Sequence, residues 1–168
     1  MAVKTVVLGL GNPVLSDDGV GLELARRLEG RLTEVTVCTT QLVGLSILEL
    51  IEGYDLLFVI DAVSTRGGSV GTLARLGAQD GSLHLFSSHG LDFYDLLALG
   101  ARLGMVLPRI GQVYGIEIGD RVAFGETVSP VLESRLDGLI EEIATDIQQV
   151  CAVHCGTGCP AAKIAGRG

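Results

Sequence analysis

Three side chains stand out by type and by position: Asp18, Asp61 and His89. Two carboxylates and one imidazole offer two oxygens and one nitrogen. That donor set suits a borderline divalent ion such as nickel or zinc and leaves coordination positions open. Each residue also has a plainer reading. Asp18, with Ser16 and Asp17, can cap a helix and complement its dipole. Asp61 can be a turn aspartate bonded to its own backbone. His89, in Ser87-Ser88-His89-Gly90, can cap the helix that follows. No HExxH motif is present, so the chain is not a standard zincin, and no GxSxG elbow offers a serine nucleophile. His84 alternates between Leu83 and Leu85 and reads as structural, and Cys38 reads as core.

The elements that must position these residues follow from hydrophobic spacing. Val3–Leu10 is an apolar, β-branched run and predicts a buried strand. Val20–Leu28 has helical spacing, with Glu23, Arg26 and Arg27 facing water. Between them lies Gly9-Leu10-Gly11-Asn12-Pro13-Val14-Leu15-Ser16-Asp17-Asp18-Gly19-Val20-Gly21, a strand-to-helix turn of the kind that binds ligands in open α/β sheets. Val14 stands where a dinucleotide fingerprint would have its third glycine, and Asp17-Asp18 would repel a pyrophosphate. A nucleotide cofactor is therefore not expected, and a cation suits the turn better.

Val35–Thr39 predicts a second strand, Leu45–Ile51 a short helix ended by Gly53, and Asp55–Ile60 a buried strand reaching Asp61. A carboxylate at that strand end emerges into the crevice, where pairing or a cation must offset its burial. Val70–Leu76 predicts a further strand. Its connection from Asp61 is too short for a parallel crossover, so an antiparallel neighbour is expected. Leu91–Val106 predicts a helix, Ile110–Ile118 a strand, and Ser129–Val150 a long helix opened by Ser129 as N-cap and Pro130. The expected architecture is a three-layer α/β/α sandwich around a twisted, mostly parallel sheet of about five strands, one of them antiparallel. Residues 1–150 read as one domain, and 151–168 as an irregular tail holding Cys151, His154, Cys155 and Cys159. Those cysteine spacings match no common zinc or cluster pattern.

Composition narrows the function classes. The chain has 168 residues, 48% hydrophobic and 19% charged, with 24 glycines and a formal net charge of −8. An acidic chain does not suit nucleic acid, which needs clustered Lys and Arg. The mean hydropathy is +0.48, yet no uninterrupted apolar stretch reaches the ~18 residues a membrane helix needs. No secretory cleavage pattern precedes the first strand, so a cytoplasmic protein with reduced thiols is expected.

The three candidate positions together resemble the [NiFe]-hydrogenase maturation endopeptidases. The resemblance spans roughly Val3 to Val150 and rests on GLGNPVLSDDGVG, LLFVIDAV and SSHGL, in that order. Gly115–Ile118 (GIEI) and Val128-Ser129-Pro130 are similar as well. The resemblance implies a protease that removes a C-terminal peptide from the precursor of a hydrogenase large subunit after nickel is installed. It implies Asp18, Asp61 and His89 as the residues that contact nickel carried by the substrate. Asn12 and Asp17, in the same turn as Asp18, are candidate supporting residues. Members carry Asp or Glu at the first position, and this chain has the shorter Asp18. Two other readings remain. One is a non-catalytic nickel-binding or assembly protein using the same three residues together with the cysteine tail. The other is a peptidyl-tRNA hydrolase, whose opening Gly9–Pro13 resembles, although its Thr-Arg-His-Asn stretch is missing here.

Overall fold

A computed structural model describes residues 3–41, 44–77, 93–119 and 123–155. Five strands form one sheet in the order β2-β1-β3-β5-β4. They are β1 (Thr5–Leu10), β2 (Val35–Thr40), β3 (Leu56–Val63), β4 (Leu73–Leu76) and β5 (Arg109–Glu117). β2, β1, β3 and β5 run parallel, and β4 lies antiparallel on the edge. The helices are α1 (Val20–Leu28), α2 (Ser46–Ile51), α3 (Phe93–Arg102) and α4 (Pro130–Cys155). The expected three-layer sandwich is observed.

Strand periodicity sorts the core into two layers. Val7, Leu56, Phe58 and Ile60 face α1 and α4, where they meet Leu24, Leu28, Leu136 and Ile140. Val6, Leu8, Leu57 and Val59 face α2 and α3, where they meet Ile47, Ile51, Phe93 and Leu96. β1 is buried along its whole length, as expected of a parallel strand covered on both faces. Among the described residues no helix is long and apolar enough to cross a membrane.

Besides shifts of one to three residues at strand ends, the neighbour of β4 and the ends of α3 and α4 differ from the sequence expectations. β4 is antiparallel as expected, but its partner is β5, which lies between it and β3. The nine-residue β5 buries its last five residues and takes an inner position, whereas the four-residue, half-buried β4 suits an edge. α3 ends at Arg102, before Val106. Gly104 has φ +84°, and the amides of Gly104 and Met105 reach back to the carbonyls of Ala101 and Gly100, both at 3.1 Å. This is a Schellman ending. α4 opens at Ser129 and Pro130 as expected, with the Leu132 amide donating to Ser129 Oγ at 3.4 Å. It then continues through Cys155, so the first five residues of the stretch read as irregular are helical. Residues 156–168, and with them Cys159, lie outside the described residues.

Candidate metal-contacting site

The order β2-β1-β3 places a topological switch point between β1 and β3. Successive connections leave β1 in one direction and return to its other side, which opens a crevice beyond the carboxyl ends of these two strands. Asp18 follows β1 in a single 3-10 turn, Ser16–Gly19, that packs on β3. Asp61 is the sixth of the eight residues of β3, so the strand continues two residues beyond it. Both expected acids therefore meet at this crevice.

Glycines bring the elements this close. A Cβ on Gly21, at the start of α1, would collide with the carbonyl oxygens of Leu10 and Ile60. A Cβ on Gly9 would collide with Ala25 and with the Gly21 carbonyl. The start of α1 therefore rests on bare backbone, and Asp18 stands immediately before it.

The turn is held by its own hydrogen bonds. The Asn12 amide donates to Asp18 Oδ2 at 3.2 Å and to the Asp18 carbonyl at 3.3 Å. The Asn12 side chain accepts from the Val14 amide at 3.1 Å, which closes an Asx turn. Asp17 Oδ1 accepts from the Ser129 amide at 2.5 Å and so ties the turn to the start of α4. Asn12 thus orients Asp18 through its backbone, and Asp17 anchors a helix 112 residues away.

Asp61 is 7% exposed. Its one hydrogen bond among the described residues comes from the next residue, the Ala62 amide, at 2.8 Å. Burial pushes its carboxyl well above the usual carboxylate range; the Ala62 amide opposes this, and the Asp18 charge adds to it. Burial also raises Asp18, partly offset by the Asn12 amide. Two carboxylates both raised by burial, with no Lys or Arg paired to either among the described residues, attract a proton or a cation. This donor chemistry fits a divalent ion. Among the described residues no cluster of three or more His, Cys, Asp or Glu is present.

His89 and His84 lie outside the described residues. The chain returns at Phe93, which is buried against Leu57 and Val59. The far end of α3 leads to Val106, whose carbonyl accepts from Gly53, and to Arg109, whose amide donates to Asp55 before β3. α3 thus ends at the amino edge of the sheet and begins toward the carboxyl edge. Cys151 and His154 are placed elsewhere. Cys151 Sγ lies 4.0 Å from Thr5 Oγ1 at the amino end of β1, and His154 Nδ1 lies 2.8 Å from the Val150 carbonyl.

Sequence reasoning assigned no role to Glu117, which is 5% exposed at the end of β5. Thr65 donates to it from both amide and hydroxyl, at 3.1 Å and 2.5 Å, and the Gly119 amide donates at 2.9 Å. Its signal was an acid inside the apolar run Val113–Ile118, a position that alternation alone assigns to solvent.

The hydrogenase maturating endopeptidase HybD of Escherichia coli superposes with a TM-score of 0.68 at 19% identity, covering 89% of this chain and 93% of that one. This chain shares the fold of the hydrogenase maturation endopeptidases. The maturation protease HycI of Thermococcus kodakarensis superposes with a TM-score of 0.60 at 24% identity, over 86% and 92% of the two chains. In sequence, the chain is 28% identical over 150 residues to the hydrogenase expression/formation protein HupD of Thiocapsa roseopersicina, covering 82% of this chain and 65% of that relative's length. No family model matches the chain. The resemblance carried by the three motifs therefore extends to the whole fold.

Proposed function

We propose that the chain is an endopeptidase that removes the C-terminal peptide from the nickel-loaded precursor of a [NiFe]-hydrogenase large subunit. The observation that carries this reading is the pair Asp18 and Asp61 at the switch point, with Asp61 buried and given one donor. Such a pair is destabilising when both members are charged and empty, and a cation relieves it. The likeness to named maturation proteases supports the reading.

Nickel enters as cargo of the precursor, partly held there by the substrate's thiolates. Asp18 and Asp61 complete its ligands with oxygen, and we assign His89 as the nitrogen ligand. His89 stands four positions before Phe93, a reach of up to ~14 Å. When bound, the ion supplies Lewis acidity toward the scissile carbonyl or the attacking water. An empty precursor lacks the ion that would bridge it to Asp18 and Asp61, so cleavage depends on loading. In the same reading the reaction is cytoplasmic and uses no nucleotide cofactor.

Incubation with nickel-loaded and nickel-free precursor tests the proposal. The expected result is a mass decrease of the loaded large subunit only. Cleavage of both forms refutes nickel recognition, and tight binding without cleavage favours a non-catalytic assembly protein.

A further inference from the structure

A second feature borders the acid pair. Phe124 is 91% exposed and Val14 is 51% exposed. An aromatic ring left this open is what contact anchors look like before a partner arrives. Backbone bonds pin the residue after Phe124, Gly125, to the segment that carries Val14. The Gly125 amide donates to the Val14 carbonyl at 3.1 Å, and the Ser16 amide donates to the Gly125 carbonyl at 2.7 Å. Leu15 and Gly125 form a parallel bridge, and Ser16 Oγ donates to the Thr127 carbonyl at 2.8 Å. The same clamp carries Asp18, whose amide donates to the Leu15 carbonyl at 3.1 Å. The backbone next to Phe124 is thus pinned to the metal-contacting turn, which lowers the entropy lost on docking. Leu103 and Val106 are also exposed, but they follow α3 at the amino edge of the sheet.

We infer that Phe124, with Val14, is the anchor that docks a folded metalloprotein whose ion reaches Asp18 and Asp61. This rests on the proposed function. A carboxylate bonds a borderline divalent ion at about 2.0–2.2 Å. An ion still held by another protein reaches Asp18 only if that protein's surface covers the ground around the turn. Phe124 and Val14 stand on that ground. The partner presents an apolar depression beside its metal. Its rim is neutral or basic, because Glu126 is exposed next to Gly125 and the whole chain carries a charge of −8.

The test is steady-state cleavage of a nickel-loaded large-subunit precursor by the wild-type chain, Phe124→Asp, Phe124→Leu and Val106→Asp. For Phe124→Asp, KM should rise at least ~30-fold, the loss expected of a contact anchor, with kcat little changed. Phe124→Leu should recover most of the loss, and Val106→Asp should match the wild type. Nickel chloride should bind the free Phe124→Asp chain as it binds the wild type. A wild-type KM in Phe124→Asp, or an equal loss in Val106→Asp, overturns the anchor and leaves the proposed function standing. A wild-type chain that neither binds nor cleaves loaded precursor overturns both.

Discussion

Asp61 and Glu117 stand near the carboxyl ends of neighbouring strands of one sheet, both almost fully buried, and are held in opposite ways. Glu117 receives the Thr65 amide and hydroxyl and the Gly119 amide. Burial alone would raise its carboxyl, but the Thr65 and Gly119 donors outweigh that and leave it below the usual range. Among the described residues Asp61 receives one amide, and burial, with the Asp18 charge adding to it, raises its carboxyl instead. The difference separates two uses of a buried acid. Glu117 is a finished joint that ties the segment after β3 to the end of β5. Asp61 has a single donor among the described residues, which is what the proposed metal contact requires.

The largest expected effect tests the Asp61 side. Asp61→Ala, Asp18→Ala and His89→Ala should each abolish processing of loaded precursor, by ~1,000-fold or more, while circular dichroism shows an intact fold. Full processing by any two of these variants would overturn the metal-contacting set.

Glu117→Ala comes next and should act on stability. It removes the charged acceptor shared by exposed Thr65 and half-buried Gly119, at a cost of about 1–3 kcal/mol in denaturant unfolding. A change under ~0.5 kcal/mol would remove the structural role given to Glu117.

Asp61→Asn should do the reverse in metal-free protein. It keeps an acceptor for the Ala62 amide and removes a disfavoured charge, so the melting temperature at neutral pH should rise by a few degrees, at ~2–4 °C per kcal/mol. Activity and stability then move in opposite directions at this one position.

The smallest effects are the pH profiles, which carry opposite signs. Asp61 has a raised carboxyl in the fold. Its penalty is absent below the unfolded value of ~3.9 and grows as pH rises toward the folded value. The advantage of Asp61→Asn over the wild type should therefore appear with rising pH. Glu117 is lowered in the fold. Its contribution is present above ~4.3 and is lost as pH falls through the folded value. The deficit of Glu117→Gln should therefore shrink toward acid pH. Parallel profiles would erase the contrast between the two acids.

Much of this organisation was legible in the residues. α1 spans Val20–Leu28, as its spacing predicts, because an amphipathic period is a local property. Asp61 was legible because an acid after the apolar run Leu56–Ile60 stands out against its neighbours, and Asp18 because an acidic pair sits in the glycine-rich turn between β1 and α1. Glu117 was not, because its partners, Thr65 and Gly119, are set by how β5 lies beside β3. The same is true of the edge position of β4. The joint between Asp17 and Ser129 spans 112 residues, and no periodicity reports a bond that long. α4 continued past its expected end because Cys151–Cys155 contain no glycine or proline to stop it.

Gly21 has one more consequence. Where α1 begins, no side chain separates it from the Leu10 and Ile60 carbonyls. The gap between the acids is gauged by main chain against main chain. Exchanges of Leu, Ile or Val in the two apolar layers can accumulate over long divergence while this gauge stays unchanged. The calibration of the acid pair is thereby decoupled from drift in the interior that supports it.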